Sequence, residues 1–242
     1  MITQQPGGQV SVLAFDIFGT TVDWRTGVAD QVAEIAAQSG AALDAGTFAD
    51  EWRDRYLPSM GRVRTGEREW VYLDTLHRES LDQLLEQHGV GDAFDEPARR
   101  RLVLAWHRLP AWDDAIAGLT RLRTRYILAA LSNGGFALLT HLIKTAGLPF
   151  DCILSAELAR TYKPDPLVYR TAAGLLDLPP AQVMMVAAHT WDLHGAHEAG
   201  LRTAFLERPL EKGPDRAADR AADVTSDLAV AGFTELAEAL GC

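Results

Sequence analysis

The chain has 242 residues, 48% of them hydrophobic and 23% charged, the ordinary balance of a globular protein. That length suits one large α/β domain, or a catalytic domain carrying an inserted lobe. A formal net charge of -10, with no long run of Lys or Arg, argues against nucleic-acid and anionic-membrane partners.

The first segment, Met1 to Gln9, is polar and has no apolar signal core. Short apolar runs then recur at Val10 to Phe15, Tyr126 to Leu131, Asp151 to Leu154, Val183 to Ala188 and Thr203 to Leu206. Their apolarity is continuous rather than alternating, which predicts strands covered on both faces: a doubly wound parallel sheet. About 110 residues separate the first two runs without a convincing strand. Apolar residues there fall at helical spacing: Val28, Val32, Ile35 and Ala36, then Trp70, Leu73, Leu76 and Leu81 with Leu84 and Leu85. Asp95-Glu96-Pro97 reads as a helix start, and Pro110 as the stop that returns the chain to the core. The expected division is a core of residues 1–23 and 110–242 with a helical cap over 24–109. The stretch from Gly213 to Asp227, rich in Asp, Arg and Ala, reads as a mobile loop before the last helix.

No apolar run approaches the roughly 20 residues that cross a bilayer. Cys152 and Cys242 are far apart and outside metal-ligand spacing, which suits a reducing cytoplasm.

Four strand ends carry chemistry. The first run ends in Asp16-Ile17-Phe18-Gly19-Thr20, so a carboxylate points at the crevice where doubly wound sheets bind ligands. The second ends in Ser132-Asn133-Gly134-Gly135, whose hydroxyl, amide and flexible backbone can face an anion. After the third comes Tyr162-Lys163-Pro164-Asp165-Pro166, a Lys held on a stiff turn; the fourth runs into Ala187-Ala188-His189-Thr190-Trp191-Asp192. Each alone is a common turn; together they bring Asp16, Ser132, Lys163 and Asp192 to one edge.

In these four motifs, and in the helical insert between the first two, the chain resembles the haloacid dehalogenase superfamily. In the phosphatase branch a second Asp stands two residues after the nucleophile as general acid. Here that position is Phe18, which has no proton to give. The resemblance is closer to the L-2-haloacid dehalogenases: an aromatic residue at Phe18, Ser132-Asn133, Lys-Pro-Asp-Pro followed by Tyr169, Trp191-Asp192, and a Trp-Arg pair matched by Trp52-Arg53. It implies catalytic roles for Asp16, Thr20, Lys163 and Asp192. It also implies substrate contacts from Ile17, Phe18, Arg53, Ser132, Asn133, Tyr169 and Trp191. No cofactor and no metal are expected.

Two positions depart from that pattern, Ala187 and His189 standing where the family has Ser and Asn. His189 joins the catalytic candidates, either to orient or activate water or to fill the volume of Asn as a neutral donor. His194 and His197 read as a surface pair.

The implied reaction is in-line attack of Asp16 on C2 of a small (S)-2-haloalkanoic acid, giving halide and an aspartyl ester. Hydrolysis of that ester then yields the (R)-2-hydroxyacid, with Asp192 expected to polarise the water. A homodimer is a family-level expectation. Two alternatives stand beside this reading: a Mg²⁺-dependent small-molecule phosphatase, and a non-catalytic binding protein on the same scaffold.

Overall fold

The computed structural model describes residues 10–242, so the polar stretch Met1 to Gln9 lies outside the described residues. Six parallel strands form one sheet: β1 (Val12–Phe15), β2 (Ile127–Ser132), β3 (Cys152–Ser155), β4 (Val183–Ala187), β5 (Arg202–Leu206) and β6 (Leu228–Val230). Their order is β3-β2-β1-β4-β5-β6. Every residue of β1 and β4 is buried, as continuous apolar runs require of strands covered on both faces. Phe15 sits in register with Ala130 of β2 and Val186 of β4. The chain leaves β1 towards β2 and β3 on one side, then returns to the other side for β4 to β6. That reversal opens a crevice beyond the carboxyl ends of β1 and β4.

Between β1 and β2 the chain builds an inserted helical cap, with α1 (Trp24–Ser39), α2 (Ala45–Asp54), α3 (Tyr56–Arg64), α4 (Leu73–Gln87) and α5 (Glu96–Val103). Helix α1 starts where the Asp23 carboxylate accepts from the Thr26 amide at 3.0 Å, and stops at Gly40 in the left-handed region. Its predicted face of Val28, Val32, Ile35 and Ala36 is buried. Asp95 caps α5 through the Ala98 amide at 2.9 Å. That helix ends earlier than Pro110 suggested, because Leu104–His107 tighten into a 3-10 turn that carries Trp106 inward. Trp70 lies ahead of α4 rather than on it, packed edge-on against Tyr72 at 4.6 Å.

Trp106 is the hinge of an aromatic cluster joining cap to core. Its ring lies 4.5 Å from His77, 5.6 Å from Trp52, 5.8 Å from Phe18 and 6.3 Å from Trp24. Contacts of this kind contribute about 0.5–1.5 kcal/mol each beyond area burial.

Helices α6 (Ala115–Leu122), α7 (Phe136–Ala146), α8 (Pro166–Leu175), α9 (Thr190–Glu198) and α10 (Phe233–Ala239) complete the core. The segment expected to be a mobile loop is tied at both sides. Arg216 pairs with Asp54 of α2 at 2.7 Å, and Asp219 accepts from the Thr190 amide at 2.8 Å, so the stretch links α2 to the start of α9. It leads into β6, a strand of three residues that the sequence pattern did not mark.

Candidate active site

Asp16 follows β1 directly and is 5% exposed. Its position is set by the strand, because its own amide donates to Val186 of β4 at 3.0 Å. Its carboxylate is held by three side chains. Lys163 Nζ donates to Oδ1 at 2.9 Å, while Thr20 Oγ1 donates to Oδ2 at 2.9 Å and His189 Nδ1 lies 3.1 Å from the same oxygen. Thr20 is itself oriented by accepting from the Ala188 amide at 2.9 Å, which ties the first motif to the fourth. Burial alone would raise the Asp16 pKa, but the charges of Lys163 and His189 outweigh it and hold the carboxyl well below the usual carboxylate range. These contacts favour the ionised form of the buried carboxylate, the state a nucleophile needs.

Lys163 is 2% exposed and lies between two carboxylates, with Nζ 2.9 Å from Asp16 and 2.6 Å from Asp192. A third bond, to the Leu131 carbonyl at 2.9 Å, uses its remaining proton. Burial works against its charge, yet Asp16 and Asp192 together raise its pKa above the ordinary lysine value. Asn133 fixes the Lys163 backbone, accepting from its amide at 2.7 Å. Asp165 then caps α8 through the Leu167 amide at 2.9 Å.

Asp192 sits in the first turn of α9, fully buried. Both its oxygens are engaged: Oδ2 with Lys163, and Oδ1 with the Tyr169 hydroxyl, which donates at 2.6 Å. Burial and the neighbouring Asp16 charge lift the Asp192 pKa, against the pull of Lys163 and Tyr169. The water-polarising role expected for Asp192 would have to share its two oxygens with these contacts. Its partners make it the counter-ion and anchor of Lys163.

The unforeseen member is Glu211, in the loop after β5 and 2% exposed. Its Oε1 lies 2.9 Å from His189 Nε2 and accepts from Trp24 Nε1 at 3.0 Å. His189 thus bridges two carboxylates, and Trp191 stacks on its ring at 5.5 Å. Burial would depress the imidazole pKa, but Glu211 and Asp16 raise it to about 10. Each ring nitrogen of His189 thus faces a carboxylate oxygen, an arrangement that favours the imidazolium. Glu211 left little sequence signal: one carboxylate in a polar loop, with no motif around it. Its place depends on Gly19, whose φ is +92° and where an added Cβ would fall on the Glu211 carboxylate.

The remaining predicted residues divide. Arg53 lies over the rings of Tyr56 at 4.1 Å and Trp24 at 5.3 Å, and its buried Nη1 has no hydrogen-bonding partner among the described residues. A cavity of about 200 Å³ is lined by Arg53, Tyr56, His189, Trp191 and Glu211, among others. Phe18 is buried, edge-on to Tyr56 and Trp106. The Ile17 and Phe18 amides donate to no group among the described residues. Ser132 is fully buried and accepts from the Gly134 amide at 3.2 Å, shaping its own turn. His194 is exposed and pairs with Glu198 at 3.4 Å, away from this cluster.

Among the described residues, no group of three or more His, Cys, Asp or Glu side chains is arranged to hold a metal ion. The Lys163 ammonium lies between Asp16 and Asp192, the two carboxylates that a cation would share.

A doubly wound parallel sheet with a helical insert after β1, and an Asp–Lys–Asp cluster at its switch point, defines a haloacid dehalogenase-like hydrolase. The profile of that family matches residues 10–200, and the chain belongs to it. Within the family it is similar to (S)-2-haloacid dehalogenase 1 of Pseudomonas sp. (strain CBS-3), 31% identical over 202 residues, or 82% of this chain and 85% of that one. Among solved structures, a defluorinating L-2-haloacid dehalogenase is 45% identical, covers 96% of each chain and superposes with a TM-score of 0.93. The L-2-haloacid dehalogenase of Xanthobacter autotrophicus with chloropropionic acid covalently bound is 25% identical. That match covers 96% of this chain and 98% of that one, with a TM-score of 0.81.

Proposed function

We propose that the protein hydrolyses small (S)-2-haloalkanoic acids to (R)-2-hydroxyacids and halide through an ester on Asp16. The observation that carries this reading is the buried Asp16 carboxylate, held by Lys163, Thr20 and His189, with His189 and Arg53 lining one cavity and an Arg53 nitrogen left without a partner among the described residues. A haloacid supplies both complements: a carboxylate for Arg53 and the free Ile17 and Phe18 amides, and an electrophilic carbon for Asp16. Attack from the face opposite the halogen inverts C2. Phe18 gives a leaving group no proton, and halide needs none.

In this reading Lys163 keeps Asp16 charged, Thr20 orients it, and Asp192 with Tyr169 fixes Lys163. Tyr56, Phe18 and Trp191 exclude water while the ester forms. Among the described residues, 24–109 act as the cap and 10–23 with 110–242 as the core. The acidic chain suits a cytoplasmic enzyme of small molecules, and no helix among the described residues is long and apolar enough to cross a membrane. The homodimer implied by resemblance is a separate expectation, measured by light scattering.

The test is halide release from chloro-, bromo- and fluoroacetate and from both 2-chloropropionate enantiomers, with and without EDTA. Release from the (S) enantiomer, unaffected by EDTA, is the expected result. A single turnover in ¹⁸O-labelled water should place label in Asp16 before product. Label appearing first in product, or Mg²⁺-dependent release of phosphate from a phosphoester, would replace this reading.

A further inference from the structure

We infer that Glu211 is the positioning residue that makes His189 the base of the second half-reaction, the hydrolysis of the Asp16 ester. This rests on the covalent reading above and gives that reading the step which Asp192, with both oxygens engaged, leaves open.

In the resting protein the imidazole lies between two carboxylates, 3.1 Å from Asp16 Oδ2 and 2.9 Å from Glu211 Oε1. An imidazolium so placed cannot accept a proton. It can only neutralise Asp16, which suits the wait for substrate. Alkylation of Asp16 removes that carboxylate's charge. The two contributions that Asp16 makes to the imidazolium, its charge and its hydrogen bond, are lost together, and the His189 pKa falls. The proton on Nδ1 is then shed to solvent, and this is the one proton released overall when a haloacid becomes a hydroxyacid and halide.

What remains is a neutral imidazole whose Nε2–H is held by Glu211. That hydrogen bond selects the tautomer, so the lone pair sits on Nδ1 and faces the Asp16 ester. Water attacks the Asp16 carbonyl carbon, and one water proton passes to Nδ1. Collapse of the tetrahedral intermediate breaks the bond between that carbon and the substrate oxygen. The second water proton, left on the new Asp16 carboxyl, passes to the departing alkoxide. Asp16 returns as a carboxylate, His189 as an imidazolium, and the product leaves as an alcohol, so protons balance over the cycle.

Glu211 is suited to this by its setting. Its Oε1 is fixed by Trp24 as well as His189, and it is buried, which strengthens its effect on the ring. Other charged groups around the imidazole are Lys163 through Asp16, and Arg53, Asp54, Lys212, Arg216 and Asp219, which line the same cavity. None of these touches Nε2.

The test is pre-steady-state turnover of (S)-2-chloropropionate by Glu211→Gln across pH 5 to 10, following halide and the mass of the Asp16 peptide. The variant should release a burst of one halide per site at an unchanged rate and accumulate the ester. Ester hydrolysis should slow about 100-fold or more. Its acid limb should move to lower pH by at least one unit, because the ring has lost the carboxylate that made it basic. In a His189→Asn background the same substitution should change nothing further.

Loss of the burst in step with turnover, an unmoved acid limb, or additive effects in the double variant would overturn the role of Glu211. Trp24→Phe provides the test if Glu211→Gln does not fold. It frees the carboxylate of a competing donor and should move the limb to higher pH; no movement also overturns the role. Wild-type protein that forms no ester would instead remove the covalent reading itself.

Discussion

His77 offers a prediction that separates burial from chemistry. It lies on α4, 3% exposed, stacked on Trp106 at 4.5 Å, and neither ring nitrogen has a hydrogen-bonding partner among the described residues. Burial, aided by the Arg53 charge and opposed by Asp74, pushes its pKa from 6.5 down to about 3. The folded protein therefore refuses a proton that the unfolded chain accepts once pH falls below 6.5. Stability falls through that window at about 1.4 kcal/mol per pH unit, so His77 costs about 2 kcal/mol at pH 5. At pH 8 the imidazole is neutral in both states, and the cost is that of a buried polar group left unpaired, about 1–3 kcal/mol. His77→Phe keeps a flat ring on Trp106 and leaves the backbone carbonyl that accepts from Trp52 Nε1 at 3.1 Å. It should raise stability modestly at pH 8 and by about 2 kcal/mol more at pH 5. Urea unfolding followed by tryptophan fluorescence measures both. Equal losses for variant and wild type between pH 8 and pH 5 would refute the reasoning.

His189 should show the opposite sign. Its folded pKa of about 10 lies above 6.5, so its contribution is full below pH 6.5 and lost as pH rises towards 10. The loss is at most about 5 kcal/mol, and His189→Asn should flatten that slope in the same unfolding assay. Lys163→Met leaves two buried carboxylates without their shared cation. It should destabilise the fold by about 3–5 kcal/mol at neutral pH, and calorimetry should show part of this regained as acid protonates them. Arg53→Ala should weaken substrate binding about 10- to 100-fold, read as a higher KM; an unchanged KM would remove Arg53 from the carboxylate. Asp16→Asn should release no halide and should unfold at a lower denaturant concentration than the wild type, because Lys163 and His189 each lose one buried carboxylate partner.

The sheet was legible because buried parallel strands leave continuous apolar runs, and five of six did so. The sixth, Leu228–Val230, buries only Val230, and three residues carry no period to read. Asp16, Lys163 and Asp192 were legible because each follows a strand end, so topology alone brings them together. Their division of labour was not. That Asp192 spends both oxygens on Lys163 and Tyr169 depends on side-chain reach across α8 and α9, which no motif encodes. Glu211 was invisible for a related reason: it sits 22 residues beyond His189 along the chain, in a loop without periodicity. The one available hint was chemical. A histidine at a buried strand end needs partners for two nitrogens, and Asp16 satisfies only one.

Gly19 has a bearing on how such a site can be redesigned. Its missing side chain is the room in which the Glu211 carboxylate rests, and its carbonyl accepts from Trp112 Nε1 at 2.8 Å. Positions 19, 189 and 211 therefore work as a single fitting spread over nearly the whole core. Grafting the imidazole alone onto a related scaffold would install a ring without its lock. A usable transplant needs the empty volume, the histidine and the carboxylate moved as one piece.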